Sequence, residues 1–180
     1  MLNPRVTMLA TMIVAAAASR LLPHPPNFTP IGAMALLGGA CFADRRAAFL
    51  VPLAAMALSD VVIGWHRGWF VVYGCFALTV CIGLWLRRRR KPAAIAGATL
   101  ASSLLFFMVT NFAVWALGHG RLYPMSAEGL LACYAAALPF FRNTLLGDAV
   151  YSVALFGSLA LAERGFAALR ESAGVVRTHG

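Results

Sequence analysis

The sequence predicts an all-α integral membrane protein: one domain, residues 1–180, of six transmembrane helices with both termini in the cytoplasm. Three observations carry that expectation. Hydrophobic residues make up 61% of the chain and charged residues only 12%, and the mean hydropathy is +0.79; a soluble domain of this size would expose far more charge. The apolar residues are gathered into long runs of roughly bilayer-crossing length. The 15 Lys and Arg residues sit in short clusters between those runs, the pattern of topology-setting loops rather than of a basic face. The net charge of +9 therefore does not point to nucleic acid, and no such partner is expected.

The runs are taken in order. Residues 6–22 follow a single Arg5; a signal peptide is the alternative, with Ala16-Ala17-Ala18 as a cleavage-like site, but no soluble domain follows. An uncleaved first helix is expected. Thr7, Thr11, Ala15 and Ser19 recur on it at four-residue spacing, a small-residue stripe that lets another helix approach closely. Residues 23–30, with four prolines, cannot be helical. The run 31–43 contains Gly32, Gly38 and Gly39 and is too short to cross a bilayer, so a short or broken second helix is expected. Residues 47–64, 69–86 and 93–117 predict helices three to five. Residues 126–139 predict an interfacial or re-entrant segment stopping at Pro139, and 143–162 the last helix.

Charge chooses six spans over seven. With the N-terminus inside, one side holds Arg5, Arg45, Arg46, the run from Arg87 to Lys91, Arg164, Arg170 and Arg177. The other holds only Arg20, Arg67, Arg121 and Arg142. Seven spans would put the C-terminal arginines on the arginine-poor side.

Polar residues inside such runs are functional candidates, because a charge at membrane depth is costly unless it faces protein or water. Asp60, Cys75, Asn111 and Asp148 all fall roughly 6–9 Å below the outer surface if the spans begin and end as predicted. Arg142, Asn143, His24, His66, His119 and Tyr123 lie above them. Trp65, Trp69, Tyr73, Trp115 and Tyr151 supply aromatic surface nearby. Local pairing of Asp60 with Arg67 and of Asp148 with Arg142 is the bland alternative. A layer of convergent polar groups among aromatic walls is what a small-molecule pocket requires. Candidate ligand-binding residues are His24, Asn27, Asp60, Tyr73, Asn111, Trp115, Arg142, Asn143 and Asp148. The cysteines (41, 75, 81 and 133) form no paired motif and read as free thiols. Cys75 alone lies at the depth of the pocket, where a thiolate could ligate a soft metal. No nucleotide-hydrolysing motif is present.

A basic chain of about this length with six spans, a small-residue first helix and a proline-rich loop after it resembles the substrate-binding S-components of energy-coupling factor (ECF) vitamin transporters. The segments from Arg20 to Pro30, Thr110-Asn111-Phe112 and from Arg142 to Asp148 are similar to the solitary, cobalamin-specific S-components of the BtuM type. The resemblance implies an S-component-like bundle in the bacterial inner membrane that takes up cobalamin, with no intrinsic cofactor. It also implies that Cys75 ligates cobalt and could remove cyanide from cyanocobalamin as a catalytic thiol. The partner would be an ECF coupling module docked on Thr7, Thr11, Ala15 and Ser19, unless the protein acts alone. Another vitamin, an intramembrane acid–base catalyst using Asp60 or Asp148, and a structural or assembly subunit remain the alternatives.

Overall fold

The computed structural model describes residues 3–65 and 67–170; His66 and Arg177 lie outside them. Six α-helices account for most of it: α1 Pro4–Ala18, α2 Ile31–Cys41, α3 Arg45–Ile63, α4 Trp69–Leu86, α5 Pro92–Leu117 and α6 Ala127–Gly165, with short 3₁₀ turns at Ser19–Leu21 and Ala167–Leu169. Helix starts are set by local chemistry. Asn3 and Asp44 accept from backbone amides of the first turns of α1 and α3, Ser126 does the same for α6, and Pro4 and Pro92 occupy first-turn positions where no amide is needed.

Four helices, α3 to α6, are long and apolar enough to cross a membrane, and large apolar side chains such as Leu58, Val61, Val62, Phe112, Leu131 and Val153 are exposed on their flanks. Ser59, Thr79, Thr99, Ser102, Ser103 and both embedded aspartates are buried instead. That polarity belongs to a membrane protein, whose outer surface meets lipid and whose interior can be polar.

The helix α2 is the axis of the bundle. All eleven of its residues are buried, so it is apolar on every face because every face meets protein. Its closest neighbour is α4, and Gly39 and Gly83 make the approach possible. A Cβ on Gly39 would overlap the Val80 carbonyl, and one on Gly83 the Leu36 carbonyl. The backbones touch, as small residues permit in membrane helices. At its C-terminal end α2 leaves carbonyls that no helical amide reaches. Arg87 fills that place, donating from Nε to Gly39 O at 3.0 Å and from Nη1 to Ala43 O at 3.2 Å.

The sequence expectation of an interfacial segment at 126–139 followed by a separate helix from 143 is corrected. The two are one helix of 39 residues, α6, with Pro139 inside it. Proline removes one backbone bond and kinks a helix, but α6 is braced along its length by α5. Cys133 Sγ donates to Asn111 O, Tyr134 Oη to Met108 O at 2.7 Å, and Phe107 packs on Phe141 at 4.6 Å between ring centroids. At about 58 Å, α6 is far longer than a bilayer core of about 30 Å.

Candidate ligand-binding cavities

One end of the bundle carries the loops 22–30, 64–68 and 118–126, and two cavities open from it into the interior. The outer one, about 630 Å³, is lined mainly by α4, α5 and α6, with Phe106, Phe107 and Phe141 as walls and Thr110 and Asn111 as polar points. Arg67 and Arg121 stand at its mouth. The inner one, about 280 Å³, runs down between α2, α4, α5 and α6 and includes Arg20, Gly32, Phe76, Thr79, Ser102 and Asp148. Asn27, Val72, Phe106 and Thr144 line both, so the two adjoin. A mostly apolar cleft of this size with a few fixed polar groups has the form of a small-molecule site.

The loop over the junction is held by specific contacts. Asn27 adopts a left-handed φ of 64°, a conformation its short polar side chain tolerates. Asn143 Nδ2 donates to Pro26 O at 3.0 Å. Gly147 leaves room for the chain to lie on α6: a Cβ there would come within 3.1 Å of Phe28 Cα and within 3.0 Å of Thr29 N. The Phe28 ring meets Tyr151 at 5.9 Å.

Two buried carboxylates mark different depths. Asp60, three residues from the end of α3, pairs with Arg20 at 2.8 Å and accepts from Tyr73 Oη at 2.8 Å. Arg20 also donates to Ser59 Oγ and to Met56 O. Its partner is thus not the sequence neighbour Arg67. Asp148 accepts from Ser103 Oγ at 2.7 Å, and Ser103 is the twelfth of 26 residues in α5. Asp148 therefore sits near the middle of the bundle, deeper than the shallow common layer expected from a helix beginning at 143. Arg142 is exposed and six positions away on α6, on a different face from Asp148. Asp60 and Asp148 have no hydrogen-bond partner in common.

Of the candidate residues, Asn27, Asn111 and Asp148 line the cavities. Asn111 donates its amide to Phe107 O, which leaves its side-chain oxygen for a ligand. Tyr73 and Asp60 stand behind Arg20 rather than in the wall. Asn143 anchors the loop. His24 is exposed, with Nδ1 against Pro25 O, and Trp115 Nε1 donates to Pro124 O. Trp65, Trp69 and Tyr73 form their own aromatic cluster, with Trp65 stacked on Tyr73 at 6.0 Å. Cys75 is buried, with its carbonyl accepting from Thr79 Oγ1, but it lines neither cavity. No group of three or more His, Cys, Asp or Glu residues suited to a metal ion occurs among the described residues. On α1, Thr7, Thr11 and Ala15 are exposed, while Ser19 is half-buried and bonded to Ala16 O and Tyr151 Oη. Arg20 and the phenylalanines were the residues that sequence reasoning passed over. Arg20 was placed as a loop charge, and a Phe within an apolar run carries no distinguishing signal.

A family model described as "Family of unknown function (DUF6580)" matches residues 1–169. The chain belongs to that family. No curated protein and no solved structure matches it. Membership of DUF6580 thus spans the whole bundle, including both cavities and the small-residue face of α1, and assigns no chemistry to any of them.

Proposed function

We propose that this DUF6580 chain is a membrane-embedded substrate-binding protein for uptake of a vitamin-like small molecule, of the S-component kind. In this reading it crosses the bacterial inner membrane six times, with the loops at 22–30, 64–68 and 118–126 outside. The observation that carries the proposal is the pair of adjoining cavities opening at that end. Apolar and aromatic walls there surround a few polar side chains, and the loop at 22–30 lies over their junction. The exposed Thr7, Thr11 and Ala15 would give α1 the close-packing face that an ECF coupling module needs.

A corrinoid is the first ligand to test. Its flat ring suits aromatic walls, and its amides suit Asn27, Asn111 and Arg121. Cys75 precedes Thr79 by four residues, about 40° around α4, and Val72, Phe76 and Thr79 of the same helix line the inner cavity, so the thiol stands one side chain away from where cobalt would have to lie. Metal coordination would itself favour the thiolate.

The experiment is the visible absorption spectrum of protein purified from cells grown with cyanocobalamin, beside Cys75→Ala. A corrinoid spectrum shifted from that of free cyanocobalamin, and reverting in the variant, supports both ligand and thiol. A colourless protein whose organic extract holds another small molecule by mass spectrometry keeps the binding role and removes the corrinoid. A colourless protein with an empty extract, and no uptake of a vitamin panel into proteoliposomes, overturns the reading.

A further inference from the structure

The inner cavity holds a buried carboxyl group that no cation of the bundle matches. Of the two buried carboxylates among the described residues, Asp60 is matched by Arg20, whereas Asp148, 6% exposed, forms no ion pair. The helices around it offer no cation. Between residues 69 and 86 of α4, across α2, and between residues 92 and 117 of α5 there is no Lys or Arg, and the ionisable groups there are Tyr73 and the cysteines at 41, 75 and 81. Arg20 is the one cation in the lining, and it brings Asp60 as its own counter-ion. Asp148 keeps one hydrogen bond from Ser103, and its other oxygen lies against Gly32, where a Cβ would overlap it. The first turn of α2 there adds only the partial positive charge of a helix start.

Arg20 Nε, Asn27 and Thr29 keep donors in the lining, but three of its hydroxyls are spent on helix carbonyls. Thr79, Ser102 and Thr144 each give their hydroxyl proton to a carbonyl of their own helix: Cys75 O, Ala98 O and Phe140 O. What they turn to the cavity is oxygen lone pairs. Phe76 and Phe106, stacked with ring centroids 5.4 Å apart, supply the apolar wall. Carboxylate, acceptor oxygens and aromatic rings in one desolvated space are complementary to a cation.

Resting on the binding role proposed above, we propose that the inner cavity receives the positively charged group of the ligand. The class is a small organic monocation, a protonated amine or a quaternary ammonium, with Asp148 as counter-ion and Phe76 and Phe106 as its apolar contacts. At about 280 Å³ the space takes such a group and little more, while the remainder of the ligand occupies the outer cavity.

The test is calorimetric titration of the purified full-length protein with two charge-differing pairs of probes: choline against 3,3-dimethylbutan-1-ol, and benzylammonium against benzyl alcohol. The cations are expected to bind at least about tenfold more tightly than their uncharged counterparts, the effect of one desolvated charge contact. Asp148→Asn keeps the shape and the Ser103 contact, and is expected to remove that preference while leaving alcohol binding unchanged. Phe106→Leu, on another wall, is expected to weaken the cations selectively and serves if the Asp148 variant does not fold. Equal affinity within each pair, a preference that survives both substitutions, or no binding of any probe overturns the proposal. The extraction and uptake experiment above then decides separately whether the binding role falls with it.

Discussion

Replacing Arg20 with methionine is the sharpest test of how the polar interior is held. The Arg20 and Asp60 side chains are only 10% and 1% exposed, and their 2.8 Å pair joins the 3₁₀ turn after α1 to the end of α3. With methionine in place, Asp60 keeps the Tyr73 hydroxyl alone, an insufficient partner for a buried charge. Breaking one side of a buried pair costs about 3–5 kcal/mol. For a chain of this size each kcal/mol moves the unfolding midpoint by about 2–4 °C, so Arg20→Met is expected to lower it by about 6–20 °C in detergent. Asp60→Leu alone is expected to be similarly costly, because it strands the guanidinium. The double variant Arg20→Met/Asp60→Leu removes both charges and is expected to recover most of the loss, since an apolar replacement of a whole buried pair is often neutral. The assay is a double-mutant cycle read by thermal unfolding. A single-variant shift under about 2 °C, or a double variant equal to the sum of the singles, would refute the claim that these charges depend on each other.

Two further outcomes are expected. Gly39→Ala places a methyl group against the Val80 carbonyl and the Gly83 backbone; backbone cannot yield as a side chain can, so a loss of several kcal/mol, seen as a sharp fall in monodisperse protein, is expected, and wild-type behaviour would show that α2 and α4 are not in backbone contact. For topology, single cysteines at Arg88 and His119 in a cysteine-depleted background are to be treated with a membrane-impermeant thiol reagent on intact cells. Labelling of the second from outside, and of the first only after permeabilisation, is expected; labelling of both from one side would contradict a membrane crossing by α5.

Much of the fold was legible because membrane helices announce themselves by apolar length. The shortness of α2 was also legible, from three glycines in a short apolar run closed by polar residues. Continuity through Pro139 was not. A proline reads as a stop when helix strength is judged locally, and only the bracing of α6 by Met108, Asn111 and Phe107 of α5 offsets the lost bond. The depth of Asp148 was misjudged for the same reason, since it was counted from a false helix start. The partner of Asp60 was missed because chain proximity favoured Arg67, while the fold brings Arg20 across 40 positions. Within the cavities, Asn27, Asn111 and Asp148 stood out as polar residues in or beside apolar runs. Conspicuous tryptophans and tyrosines proved to be the wrong guide, because Trp65, Trp69 and Tyr73 pack on one another. The walls that matter are phenylalanines.

The wrapping of α2 on every side bears on how the chain is made. Eleven residues rise about 17 Å, too little for this stretch to be recognised and retained in the bilayer as a span in its own right. Its main contact surface, α4, does not exist until Leu86 has been synthesised, and α6, which closes over Gly32, is the last helix to emerge. Until then only α1 and α3, which also pack on α2, can shelter it, so its enclosure is completed by helices made after it and closes with the Gly39–Gly83 contact.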